Sequence, residues 1–141
     1  MSTDGARKPV PVPDVVSEGF WRAAASHVLA IQRCSVCGWY SHPPDVVCVN
    51  CLSAERSFRY EPVCGRGRLR SWTVMRDAFL PGFKPEVPYV VADVELEEQL
   101  GLRMIGRLVD GADAALGLGA PVEVVFEDVA EGIAVPQFRL S

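Results

Sequence analysis

Four of the five cysteines in this 141-residue chain stand in one short stretch, as Cys34-Ser-Val-Cys37 and Cys48-Val-Asn-Cys51, with ten residues between the pairs. Thiols so spaced have three chemistries open to them: disulfide bonding, dithiol redox exchange, or metal ligation. A redox C-x-x-C works as a single motif opening a helix within a βαβ unit. Here there are two motifs, and Pro43-Pro44 between them opposes a helix after Cys37. Thiolate is the usual structural ligand of Zn²⁺, which takes four ligands in a tetrahedron. Two C-x-x-C turns supply two sulfurs each. Gly38 directly after Cys37 suits a turn that needs positive φ, whereas Leu52 holds the equivalent place after Cys51. The expectation is that Cys34, Cys37, Cys48 and Cys51 bind one structural zinc ion. Iron on the same ligands would instead make a rubredoxin-like electron carrier, and the spacing leaves that alternative open. A closed four-cysteine zinc site has no open coordination position, so its role is to brace the segment that carries it.

The other reactive side chains form no catalytic set. Cys64 stands alone beside Gly65 and reads as a small buried hydrophobe rather than a nucleophile; the competing reading is a thiol-dependent hydrolase. His42 lies between the cysteine pairs as a spare ligand, and neither it nor His27 sits in a nucleophile motif. The acidic residues are spread along predicted strands, where a solvated face explains them.

The elements that must position the cysteines are legible from periodicity. Residues 1–13, rich in Pro and basic residues, read as a flexible tail. Residues 14–26 read as a helix, capped by Asp14 or Ser17, with Val16, Phe20 and Ala24 on one face and Trp21 beside them. His27 to Cys34 reads as a strand leading into the first pair. After the second pair the period changes to two. Val90, Ala92, Val94 and Leu96 fall on one face; Leu102, Met104 and Leu108 on another; Val122, Val124 and Phe126 on a third. Residues 65–79 form a further strand, opened by two glycines that permit a bulge or tight turn. Residues 132–140 form a last strand, which Pro136 marks as an edge. Residues 110–120 allow one helical turn. The result is a mainly β chain: an N-terminal helix, a four-cysteine zinc ribbon, then a small, partly open barrel of five to six strands. The divisions fall at 1–13 for the tail, 14–55 for helix and ribbon, and 56–141 for the barrel.

Composition narrows the classes. The chain is 49% hydrophobic and 23% charged, enough to bury a core, and its net charge of −4 opposes nucleic-acid binding. No apolar run is long enough to span a membrane, and the first residues show no signal-peptide core. A cytoplasmic location is expected, where thiols stay reduced. The connection Phe79 to Tyr89 carries three aromatics and three prolines, and reads either as a lid on the barrel or as a contact surface.

In this order the pieces resemble the DUF35 family, from about Phe20 to Leu140. The motifs that carry the likeness are "QRCSVCGWYSHPPDVVCVNC", "GRGRLRSWTV", "VPYVVADVEL", "LGAPVEVVFED" and "PQFRL"; the departure is Leu52, where the family commonly has glycine. The resemblance implies a rubredoxin-like zinc ribbon before an acyl-CoA-associated OB-fold. It implies an accessory subunit without catalytic residues, which stabilises a thiolase-like partner and helps shape its acyl-CoA channel, in a two-plus-two heterotetramer. Partners in the family include lipid-transfer-protein-type retro-aldolases of steroid side-chain degradation. They also include hydroxymethylglutaryl-CoA synthase with acetoacetyl-CoA thiolase, and polyketide acyltransferases; some members are fused to a MaoC-like hydratase. On that reading Phe20, Trp21, Trp39, Tyr40, Phe79 and Phe83 are candidates for the partner interface. Arg66, Arg68 and Lys84 are candidate cations for CoA phosphates.

Overall fold

The structure is a computed structural model, and it describes residues 7–53 and 58–141. The first six residues of the expected tail, and the expected boundary between residues 55 and 56, lie outside the described residues. Residues 7–13 form neither helix nor strand.

Among the described residues the single α-helix, α1, runs Glu18–Ala25, shorter at its start than the periodicity suggests. Residues 14–17 make a turn first: Asp14 Oδ1 accepts the Ser17 N–H at 2.7 Å, and the Ser17 hydroxyl accepts the Asp14 N–H at 3.2 Å. The C-terminus closes by a Schellman arrangement. His27 N–H reaches the Ala24 carbonyl and Val28 N–H the Ala23 carbonyl, with His27 at φ 59° where glycine is usual. This stop uses residues 26–28, so strand β1 covers only Ala30–Cys34 and not the residues from His27 onward. With β2 (Tyr40–Ser41) and β3 (Phe58–Pro62) it forms a three-stranded antiparallel sheet in the order β2-β1-β3.

The remaining strands are β4 (Arg66–Met75), β5 (Tyr89–Leu96), β6 (Arg103–Leu108), β7 (Pro121–Ala130) and β8 (Ile133–Leu140). They close into a five-stranded barrel in the order β4-β5-β6-β8-β7, so the barrel is not partly open. Closure at one seam comes from β4. It pairs with β5 along most of its length, while its first residues, Arg66 to Arg68, also pair with β7. The other seam is the parallel bridge Leu108–Phe138 between β6 and β8. Pro136 therefore lies inside the barrel wall and not at a sheet edge; it falls just before that single bridge, where β8 needs few hydrogen bonds to β6. The irregularity in β4 lies between Leu69 and Ser71, beyond the two glycines expected to host it. The glycines serve closure differently. Gly65 turns the chain at φ 79°, and Gly67 lets β4 approach the Glu95 carbonyl, which an added Cβ would meet at 2.4 Å. Residues 111–120 form turns and no helix.

Strand alternation holds in β5, where Val90, Ala92, Val94 and Leu96 are all buried. Leu102, Met104 and Leu108 face the same core, as does Val122, while Val124 and Phe126 are half-buried at its margin. The core does not stop at the barrel. Phe20 of α1 and Leu29 and Ile31 at β1 belong to the same buried cluster as Leu69 and Phe138. The helix and ribbon strand thus fold onto the barrel, which is how a small ribbon gains a hydrophobic support it could not build alone.

Candidate metal centre and partner surface

Each cysteine pair sits on the same backbone turn. Gly38 N–H bonds the Cys34 carbonyl and Leu52 N–H bonds the Cys48 carbonyl, both at 2.9 Å. Gly38 has φ 80° and Leu52 φ 60°, so the leucine occupies the left-handed conformation that glycine holds in the first turn. Backbone N–H groups point at sulfur: Val36 to Cys34 Sγ at 3.4 Å and Cys51 to Cys48 Sγ at 3.5 Å. All four ligand sulfurs lie within 4.8 Å of one another. Cys34 and Cys51 Sγ are 3.9 Å apart, and Cys37 and Cys48 Sγ 3.5 Å. These separations are far longer than a disulfide bond of about 2.05 Å. They bracket the edge of about 3.8 Å in a tetrahedron with zinc–sulfur bonds of about 2.3 Å.

The electrostatics fit a cation as well. Asn50 Nδ2 donates to Cys37 Sγ at 3.6 Å and is the largest reason that this thiol falls to about 6. The Cys37 backbone N–H lowers Cys34. For Cys51 a backbone hydrogen bond from Ser53 favours the thiolate, yet burial and the neighbouring sulfurs push it up to about 11. Four thiolates cannot all ionise side by side without positive charge between them, and a Zn²⁺ ion supplies that charge. The chain carries a zinc ribbon whose four cysteines suit one zinc ion. Cys34 and Cys48 are buried, and Cys37 and Cys51 are exposed.

Residues with no recognisable signature hold the turns in place. Gln32, 4% exposed on β1, gives its amide Nε2 to the Asp45 carbonyl at 2.8 Å and accepts the Asp45 N–H at 2.9 Å. Arg33 donates to the Gly38 carbonyl at 2.8 Å and to Glu61 at 2.5 Å, and lies over the Tyr40 ring at 4.6 Å. The nearest sequence signal for Gln32 is its place on a strand face that otherwise turns inward. His42 is not among the clustered ligands. Its ring packs on Phe20 at 5.3 Å, and burial lowers its pKa. His27 Nε2 meets Asp128 at 2.9 Å while its ring stacks on Phe126 at 5.2 Å.

Cys64 is exposed, contrary to its expected burial, because it lies in the link between β3 and β4 and outside the core. Partial desolvation, chiefly, and Glu98 raise its thiol pKa, which opposes a reactive thiolate.

The six aromatic candidates for a partner surface separate. Phe20 is 5% exposed and belongs to the chain's own core, because the apolar face of α1 packs on the barrel; it offers no contact surface. Trp21 packs edge-on against Phe20 at 5.0 Å and is half-buried, as are Trp39, Tyr40 and Phe83. Phe79 stands out at 91% exposed, next to Leu80. Around the cysteine turns, Val36, Val46, Val49 and Leu52 are also exposed.

The three candidate cations are not gathered. Arg66 and Arg68 begin β4; Arg66 pairs with Glu97 at 3.6 Å, and Arg68 donates to the Gly119 carbonyl at 3.1 Å. Lys84 lies in a 3-10 turn, Lys84–Glu86, beyond the far end of the same strand.

Comparison with known proteins accords with this geometry. Two family models match: the ChsH2 rubredoxin-like zinc ribbon domain over residues 21–55, and the ChsH2 C-terminal OB-fold domain over residues 60–127. A DUF35 domain-containing scaffold protein of Methanothermobacter thermautotrophicus is 36% identical over 71% of this chain and 72% of its own length. A probable enoyl-CoA hydratase alpha subunit of Thermomonospora curvata is 37% identical over 85% of this chain. This chain spans only 36% of that relative's length. Among solved structures, a chain of the Ltp2-ChsH2(DUF35) aldolase superposes with a TM-score of 0.79 at 32% identity, covering 92% of this chain and 98% of that one.

Proposed function

The chain belongs to the DUF35 family, with a ChsH2-type zinc ribbon and OB-fold, and from that premise we propose that it is a non-catalytic accessory subunit of a thiolase-like enzyme acting on acyl-CoA thioesters. The observation that carries this reading is the near end-to-end likeness to the DUF35 chain of an aldolase complex. The site chemistry supports it. The metal centre is closed by four cysteines, and its part is to hold the ribbon. The thiol outside it is held protonated, and both histidine rings are engaged in packing. The reaction is a retro-aldol cleavage of a steroid-type side chain, catalysed by the partner's residues, and the complex is a two-plus-two heterotetramer. The contact runs through Phe79, Trp39 and Trp21, with the apolar rim of the cysteine turns. A standard interface of about 800 Å² per partner needs such anchors.

A second reading has its own support: a relative named as a hydratase alpha subunit contains a region similar to this chain. On that reading the chain serves an acyl-CoA hydratase.

The test is co-expression with a thiolase-like subunit and, separately, with a hydratase-type subunit, followed by size-exclusion chromatography and assay of each complex. Co-elution with the thiolase-like subunit is expected, with partner activity at least tenfold lower for Phe79→Ala, about 1.4 kcal/mol of lost interaction. Co-elution with the hydratase subunit alone selects the second reading. Acyl-CoA turnover by the isolated chain would overturn the non-catalytic assignment.

A further inference from the structure

A closed circuit of contacts ties the segment before α1 to the barrel. Lys8 Nζ lies 2.8 Å from Glu86 and 5.4 Å above the Phe83 ring. Phe83 meets the Tyr89 ring at 5.9 Å. Arg107 lies 4.8 Å over Tyr89 and pairs with Glu86, which returns the circuit to Lys8. Lys8 also reaches Glu127 of β7 at 3.7 Å. Beneath the segment runs a groove of about 1090 Å³, lined on the barrel side by Ile105, Val129, Val135 and Pro136 and on the other by Val10 and Pro11.

We propose that residues 7–11 are a displaceable strap, latched by Lys8, that covers this apolar groove. Pro9, Pro11 and Pro13 keep the segment extended and remove the N–H donors along one of its edges, and residues 7–13 join no strand of the sheet. Among the described residues, the polar contacts of segment 7–13 all belong to Lys8. The receptor for the lysine survives its departure, because Arg107 still holds Glu86 and still lies over Tyr89. The strap therefore leaves and returns without disturbing the barrel wall. When it leaves, it uncovers Ile105, which is already 61% exposed, together with Val135 and Pro136. The latch is made of partly exposed ion pairs and one cation–ring contact, so salt weakens it.

Limited trypsin digestion of the zinc-loaded 141-residue chain tests this. The Arg7–Lys8 bond is cleavable, while the Lys8–Pro9 bond resists the protease. Lys8→Gln removes the latch, and Glu86→Gln weakens it without altering the cleaved sequence. Rates are normalised to the same bond in a free peptide. Cleavage after Arg7 is expected to rise about tenfold in Lys8→Gln, consistent with two ion pairs and one cation–π contact. It should rise severalfold in Glu86→Gln. In the unmodified chain it should climb to the Lys8→Gln rate as salt goes from about 0.05 M to about 1 M. Arg22→Gln, which breaks the Arg22–Glu18 pair on α1, should leave it unchanged. Equal rates within twofold for all variants and salts would overturn the proposal, as would acceleration by Arg22→Gln equal to that by Lys8→Gln.

Discussion

Gln99 and Tyr40, separated by 59 residues, exchange two hydrogen bonds: Tyr40 N–H to Gln99 Oε1 and Gln99 Nε2 to the Tyr40 carbonyl, each 2.9 Å. The amide of Gln99, in the β5–β6 connection, imitates a neighbouring strand for the first residue of β2. It is one polar fastening between the ribbon and the barrel, alongside the apolar contact of Phe20 and Ile31 with the barrel core. Gln99→Ala leaves a half-buried backbone N–H and carbonyl without their partner. The expected cost is about 1–3 kcal/mol in chemical denaturation of the zinc-loaded chain. Hydrogen exchange should accelerate at Tyr40 and not in the middle of β5. Gln99→Glu keeps the acceptor and loses the donor, and should fall between.

Metal analysis of the untagged chain should return one zinc per molecule. Cys34→Ser removes a buried ligand, and both this change and chelation should destabilise β1 and β2 by several kcal/mol, since metal binding free energy is folding free energy. Unchanged zinc content and stability in Cys34→Ser would refute the ligand set. A red, iron-loaded protein with reversible redox behaviour would make it an electron carrier instead.

Gly67 tests barrel closure. An alanine Cβ there would lie 2.4 Å from the Glu95 carbonyl oxygen and 2.7 Å from Val94 Cγ1, so β4 and β5 must part at the seam with β7. Gly67→Ala should cost about 1–3 kcal/mol, the usual range for overpacking. Gly117→Ala meets nothing within 4 Å, and should be neutral or stabilising by up to about 1 kcal/mol. Thermal denaturation of the two variants side by side checks the contrast.

His42 gives a pH signature. Burial against Phe20 disfavours the imidazolium, so the folded pKa lies below the ordinary histidine value of about 6.5. The unfolded chain then binds the proton more readily than the folded one. Stability from this residue is complete above about pH 6.5 and declines as pH falls from there through the lower folded value. An NMR titration of the His42 ring should show a midpoint below 6.5, and His42→Phe should flatten that part of the stability profile. A midpoint at or above 6.5 would contradict the burial of the ring.

The metal cluster was legible in the chain because it is local. C-x-x-C spacing, Gly38 and the prolines between the pairs all act within a few residues of the sulfurs, and backbone sterics turn that order into a knuckle. The barrel strands were legible for a similar reason: Val90, Ala92, Val94 and Leu96 alternate with Val91, Asp93 and Glu95, and period two is a property of the extended backbone itself. Where the helix presents its apolar face was not. Periodicity placed Phe20 on a face, but only the packing of α1 on Leu29, Ile31 and the barrel core decided that the face meets the chain's own interior. Cys64 read as buried by residue type, yet its place in the β3–β4 link leaves it in solvent. Gln99 beneath Tyr40, and Lys8 between Glu86 and Glu127, carry no sequence signal at all. A hydrogen bond or an ion pair depends on distance in space, and only the packing of the ribbon and of the segment before α1 against the closed barrel brings those residues together.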